Sequence, residues 1–75
     1  MKKIDIGKLI QVKMDEEGRS AKWLAKKINC HRNNIYRIYK KKYVHAQILA
    51  QISIALRFNF FSYYYNYINE QITNH

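Results

Sequence analysis

Between Ser20 and Lys40 two short helical patterns stand almost end to end, and that junction limits the folds open to this chain. The first places Leu24, Ala25 and Ile28 on one stripe, with Ser20 as N-cap. The second runs from about Arg32 to Lys40 or Lys41, with Ile35 and Ile38 inward and Tyr39 beside them. Asn tolerates the left-handed conformation better than most residues, so Asn29 reads as the stop between them. A helix-turn-helix must hold two short helices at roughly a right angle, with such a tight turn between them. The crossing demands a small residue at the close approach, and Ala25 supplies it. Leu24, Ile28, Cys30, Ile35 and Ile38 supply the apolar junction.

The rest of the chain is helical in pattern too. It has no proline and only two glycines. A first helix is expected from an Asp5 N-cap, using Ile6, Leu9, Ile10 and Met14, and ending at a left-handed Gly18. Asp15, Glu16 and Glu17 oppose its dipole. Trp23 is expected to cover the junction with this helix. A fourth helix is expected over about Ala46 to Arg57, using Ile48, Leu49, Ile52 and Leu56, with Ala55 giving close approach. A fifth is expected over about Phe61 to Glu70, with Phe61, Tyr64, Tyr65 and Ile68 inward and Asn59 or Ser62 capping the junction. No run alternates as a strand. The expected class is all-α: one five-helix domain over residues 1–75, its two-helix motif at about 20–40 and helices 4 and 5 at about 46–70 completing the core.

Charge narrows the function. The chain carries 14 Lys and Arg against 5 Asp and Glu, a net +9. From Gly18 to Asn69 there is no carboxylate, while ten basic residues fall in that stretch. One-sign clustering of this kind is the footprint of a polyanion binder, and also of a well-solvated basic face. Catalysis is not indicated: no nucleophile, base or metal set is present, so no enzyme, metal or cofactor is expected. The single cysteine, Cys30, forms no intrachain disulfide and reads as a small buried apolar residue. No segment reaches the roughly 18 apolar residues of a membrane span. Lys2 and Lys3 precede no long apolar run, so no secretory leader is expected and the expected location is the cytoplasm. His45 and His75 carry no signal.

The stretch Ser20-Ala-Lys-Trp-Leu-Ala-Lys-Lys-Ile-Asn-Cys-His-Arg-Asn-Asn-Ile-Tyr-Arg-Ile resembles the Cro and lambda-repressor-like (XRE) helix-turn-helix family. The resemblance continues through Leu49-Ala-Gln-Ile-Ser-Ile-Ala-Leu and Phe60-Phe-Ser-Tyr-Tyr, and covers about residues 5 to 68. Three positions depart from the family pattern. Asn29 replaces the usual Gly, Ala21 replaces a phosphate-binding Gln, and the loop after the third helix is Lys40-Lys-Lys-Tyr-Val-His.

The resemblance implies a lambda-repressor-like fold and double-stranded DNA as partner, with the third helix in the major groove. It implies base reading by Arg32, Asn33, Tyr36 and Arg37. It implies backbone contacts by Ser20, Lys22, Lys26, His31, Asn34, Lys40, Lys41 and Lys42. The side-chain chemistry suits these roles independently. Arg pairs bidentately with guanine O6 and N7, and Asn with adenine N6 and N7. Lys near phosphate fixes register without reading sequence.

The implied function is sequence-specific regulation of transcription, repression ahead of activation. Motifs of this kind pair two-fold dimers with palindromic sites, so a homodimer is expected. The aromatic C-terminus has two readings that do not exclude each other: completion of the core, and a partner surface. The rival function is a protein-interaction module, such as an antitoxin or accessory subunit, on the same fold; the retained Arg32, Asn33 and Arg37 argue against it.

Overall fold

The computed structural model describes residues 4–74. Five helices follow in order: α1 (Ile6–Glu16), α2 (Ala21–Lys27), α3 (Arg32–Tyr39), α4 (Ala46–Leu56) and α5 (Phe61–Thr73). The all-α class is as the periodicity requires. Met1, Lys2, Lys3 and His75 lie outside the described residues.

Helix starts are set by local side chains. Asp5 accepts from the Lys8 amide at 3.3 Å, and Ser20 from the Trp23 amide at 3.1 Å. His31 and His45 cap α3 and α4 through Nδ1, which accepts from the amides of Asn33 at 3.1 Å and Gln47 at 3.2 Å. His45 therefore has a structural role that its sequence position did not suggest. Asn59 Oδ1 accepts from the Phe61 amide at 3.0 Å at the head of α5. Each interaction satisfies one of the backbone donors that a helix start leaves open.

Three helix ends share one device. Gly18, Asn29 and Arg57 are left-handed, at φ 64°, 58° and 53°. In each case the next residue's amide reaches back across the last turn: Arg19 to Met14 O at 2.9 Å, Cys30 to Ala25 O at 2.9 Å, and Phe58 to Ser53 O at 3.0 Å. This pattern closes the last turn and reverses the chain sharply. Gly18 and Asn29 announced it in the sequence. Arg57 did not, because Arg carries no left-handed preference.

The core is built from Ile6, Ile10 and Met14 of α1, Ala21, Leu24 and Ala25 of α2, Ile35 of α3, Leu49, Ile52 and Leu56 of α4, and Phe60. α2 and α1 pack on α3, and α4 packs on α2. Phe60 is fully buried in the α4–α5 turn, where its amide donates to Ser53 Oγ at 3.3 Å. Phe58 packs edge-on against Phe60 at 4.9 Å, and Tyr63 joins them from α5.

Three expectations are corrected here, for Cys30, for the end of α5 and for Tyr65 with Ile68. Cys30 is half-buried rather than buried. Trp23 lies by the end of α1 as expected, with Glu17 and Arg19 beside it and the Arg19 guanidinium 4.5 Å over its ring. α5 runs three residues past Glu70, to Thr73. Tyr65 and Ile68, expected inward, are exposed, and α5 buries no residue fully. The acids at the end of α1 are partly accounted for: Glu17 pairs with Lys13 at 3.6 Å, and Lys13 lies 4.5 Å over the Phe58 ring.

One contact bears directly on α3. The amides of Gly7 and Ile6 donate to the carbonyls of Lys41 at 2.9 Å and Lys42 at 3.2 Å. The open donors at the start of α1 thus meet the acceptors just beyond the end of α3. A side chain at Gly7 would run into the carbonyls of Ile38, Tyr39 and Lys41. Gly7 is required for this approach, and so for the placement of the Lys40–Lys42 loop.

Candidate nucleic-acid interface

α3 has two faces of opposite character. Ile35 is fully buried against the core, with Ile38 and Tyr39 half-buried beside it. Arg32, Asn33, Tyr36 and Arg37 are all exposed on the other side. At 3.6 residues per turn Asn33 and Arg37 lie opposite Ile35, with Tyr36 and Arg32 on the flank between them and Tyr39. The fold therefore brings the four expected base readers together and turns them outward.

Their neighbours limit how far they wander. Arg37 Nη1 donates to Asn34 Oδ1 at 3.2 Å, one turn back. Tyr36 packs edge-on against Tyr39, with ring centroids 6.3 Å apart. The Arg37 guanidinium keeps further donors for an outside acceptor, in the planar fork that matches guanine or phosphate. His31 spends Nδ1 on the Asn33 amide, so its proton sits on Nε2, free to donate outward. Ser20 Oγ accepts from Trp23 while its hydroxyl hydrogen can still donate.

The expected phosphate-binding residues fall in two places. Lys22 and Lys26 are exposed on α2, beside the exposed cap Ser20. Lys40, Lys41 and Lys42 follow α3 directly, all exposed. Lys41 lines a groove of about 300 Å³ with Asn34, Arg37, Tyr43 and His45. Tyr43 is highly exposed and was not singled out from the sequence, since a lone Tyr after a Lys run carries no pattern. Ala21, expected from the resemblance to stand in place of a Gln, is buried in the core. It offers no polar group, and Ser20 and Lys22 flank it on the surface.

The site offers hydrogen-bond donors and cations. Burial pushes the Cys30 thiol up, which disfavours the thiolate a nucleophile needs. Among the described residues no three His, Cys, Asp or Glu are grouped to hold a metal ion. Among the same residues no helix is long and apolar enough to cross a membrane.

A basic, Asn-bearing helix held outward by a tight two-helix corner suits a nucleic-acid groove, and comparison with known proteins agrees. The family model for the Cro/C1-type helix-turn-helix DNA-binding domain matches residues 9–60, which hold α2, α3, α4 and most of α1. No curated protein matches the chain. No solved structure matches it either. The match spans well over half of the 75 residues, and the chain belongs to the Cro/C1-type helix-turn-helix DNA-binding domains.

Proposed function

We propose that this domain binds duplex DNA at specific sequences, as a single module, and regulates transcription. α3 enters the major groove, with Arg32, Asn33, Tyr36 and Arg37 at base edges. Ser20, Lys22, Lys26, His31, Asn34 and Lys40 to Lys42 serve the backbone. The single observation that carries this reading is the outward stripe on α3, which joins two Arg and an Asn on a helix whose far side is locked by Ile35. Repression is the expected sign. It needs only occupancy of a site, whereas activation needs a further surface for the transcription machinery. A homodimer on a two-fold site is expected, because one module of this size offers limited contact area.

Two substitutions separate the roles. Arg37→Ala is expected to weaken binding to the preferred duplex by roughly 1–3 kcal/mol and to relax preference at one base position. Equal losses on preferred and scrambled duplexes would remove Arg37 from base reading. Lys41→Ala is expected to weaken both duplexes alike and to lower the slope of log affinity against log salt by about one. An unchanged slope, measured by fluorescence anisotropy across a salt series, would remove Lys41 from the phosphate contacts.

A further inference from the structure

A groove of about 890 Å³ opens between the α1–α2 loop, α2 and the end of α4, and takes no residue from α3 or from the Lys40–Lys42 loop. Part of its lining is apolar: Trp23 and Ala55 are half-buried, and Ile54 is 78% exposed. The rest is cationic, with Arg19, Lys27 and Arg57 all exposed. Arg19 and Lys27 rest on the Trp23 ring, 4.5 and 5.7 Å from its centroid. Arg57 is fixed in the left-handed turn after α4, at φ 53°. Among the described residues none of these three cations meets a carboxylate. The acid that lines the groove, Glu17, is paired with Lys13 instead. The stretch from Gly18 to Asn69 supplies no other.

We infer that this groove docks an acidic peptide of another protein, with an apolar side chain against Trp23 and Ile54 and carboxylates on Arg19, Lys27 and Arg57. Charge complementarity selects the occupant. A cation–π contact at an exposed site is weak beside a charge-assisted pair. A carboxylate therefore draws Arg19 and Lys27 off the ring and uncovers the indole for an apolar neighbour. Trp and Arg are also the residues that most often anchor a protein interface. The volume falls within the roughly 300–1,000 Å³ of ligand-sized clefts. The apolar lining argues against duplex DNA as the occupant, since a phosphate backbone satisfies the cations but leaves Ile54 and Trp23 without a partner. Lys22 and Lys26, proposed for the DNA backbone, lie about 100° round α2 from Trp23 and Lys27. A second copy of this chain is opposed by its own net charge of +9.

The probe is a synthetic peptide, acetyl-Glu-Asp-Leu-Glu-Asp-Phe-Leu-Glu-amide, titrated into the full chain at near-physiological salt. Trp23 is the chain's single tryptophan, so its fluorescence reports on the groove directly. A saturable change in emission is expected, with a dissociation constant below about 1 mM. Exchanging the acids of the peptide for Gln and Asn, or its Leu and Phe for Ser, should each weaken binding roughly tenfold or more. Ile54→Gln and Arg57→Gly should each weaken it roughly fivefold or more. Both variants should keep the parent melting temperature, because Ile54 is exposed and Gly accepts the left-handed turn at Arg57. Arg37→Ala, on α3, should bind the peptide as the parent does. An emission that does not change up to about 1 mM peptide overturns the inference. Equal binding of the Ser-exchanged peptide also overturns it, leaving a polyanion contact only. Binding that survives Ile54→Gln and Arg57→Gly but falls in Arg37→Ala overturns it as well, by placing the peptide on α3. Loss of duplex affinity in Arg57→Gly, with no peptide bound by the parent, would assign the groove to DNA instead.

Discussion

Gly7→Ala is expected to destabilise the domain by about 2 kcal/mol or more, at the upper end of the roughly 1–3 kcal/mol typical of overpacking. Helix propensity alone points the other way. Ala is better than Gly inside a helix by roughly 0.5–1 kcal/mol, and Gly7 sits in the first turn of α1. Packing decides the sign. The added methyl would meet the carbonyls of Ile38, Tyr39 and Lys41, and backbone cannot swing aside as a flexible side chain can. α1 must therefore lift from the end of α3, and the bonds from Gly7 to Lys41 and from Ile6 to Lys42 stretch or break. The Lys40–Lys42 loop is released with them, so DNA affinity should fall as well as stability. Urea unfolding followed by circular dichroism checks the first effect. A midpoint equal to or above that of the parent would show that this contact does not govern the packing of α1.

Ile35→Ala is expected to cost about 2–5 kcal/mol, the range for truncating a large buried aliphatic side chain. Ile35 is the one fully buried residue of α3, so no neighbour on that helix replaces it. A domain of this size has a stability of roughly 4–11 kcal/mol, so a loss in that range populates the unfolded state measurably. The same substitution touches none of the exposed stripe. Affinity corrected for the folded fraction should therefore change far less than stability does. Thermal melts paired with DNA titrations below the transition separate the two. A loss under about 1 kcal/mol would mean that α3 is held chiefly by other contacts.

The parts of this molecule that were legible in the sequence are those decided locally. Asp5 and Ser20 cap the helices expected of them, and Gly18 and Asn29 turn where their left-handed tolerance allows. Both α3 faces were legible because a helix of eight residues repeats its pattern within the motif. What escaped was decided at a distance. Gly7 is dictated by carbonyls more than thirty residues away, and no spacing rule connects them. Arg57 takes a conformation that its own chemistry does not favour, so its turn follows from the packing of α4 and Phe60 instead. α5 was misread for a different reason. An apolar stripe at helical spacing looks the same whether its own domain covers it or leaves it open, and Tyr65 and Ile68 are left exposed.

For the candidate site, the exposure of its residues was legible in the sequence but their arrangement was not. Arg32, Asn33, Tyr36 and Arg37 could be assigned to one face by periodicity. The Arg37–Asn34 hydrogen bond and the groove shared by Arg37, Lys41 and Tyr43 could not, since they depend on rotamers and on the path of the loop. His31 illustrates the boundary. Its N-cap position was evident, while the choice of Nδ1 as acceptor, which leaves Nε2 to face outward, required coordinates.

The most direct test of sequence-specific recognition is selection of bound sites from a random duplex library at near-physiological salt, followed by affinity against a scrambled duplex. The expected result is an enriched two-fold motif bound roughly a thousandfold or more tighter than scrambled DNA. Salt-sensitive binding with no enriched motif would contradict it, and would reduce the basic stripe on α3 to a non-specific polyanion contact.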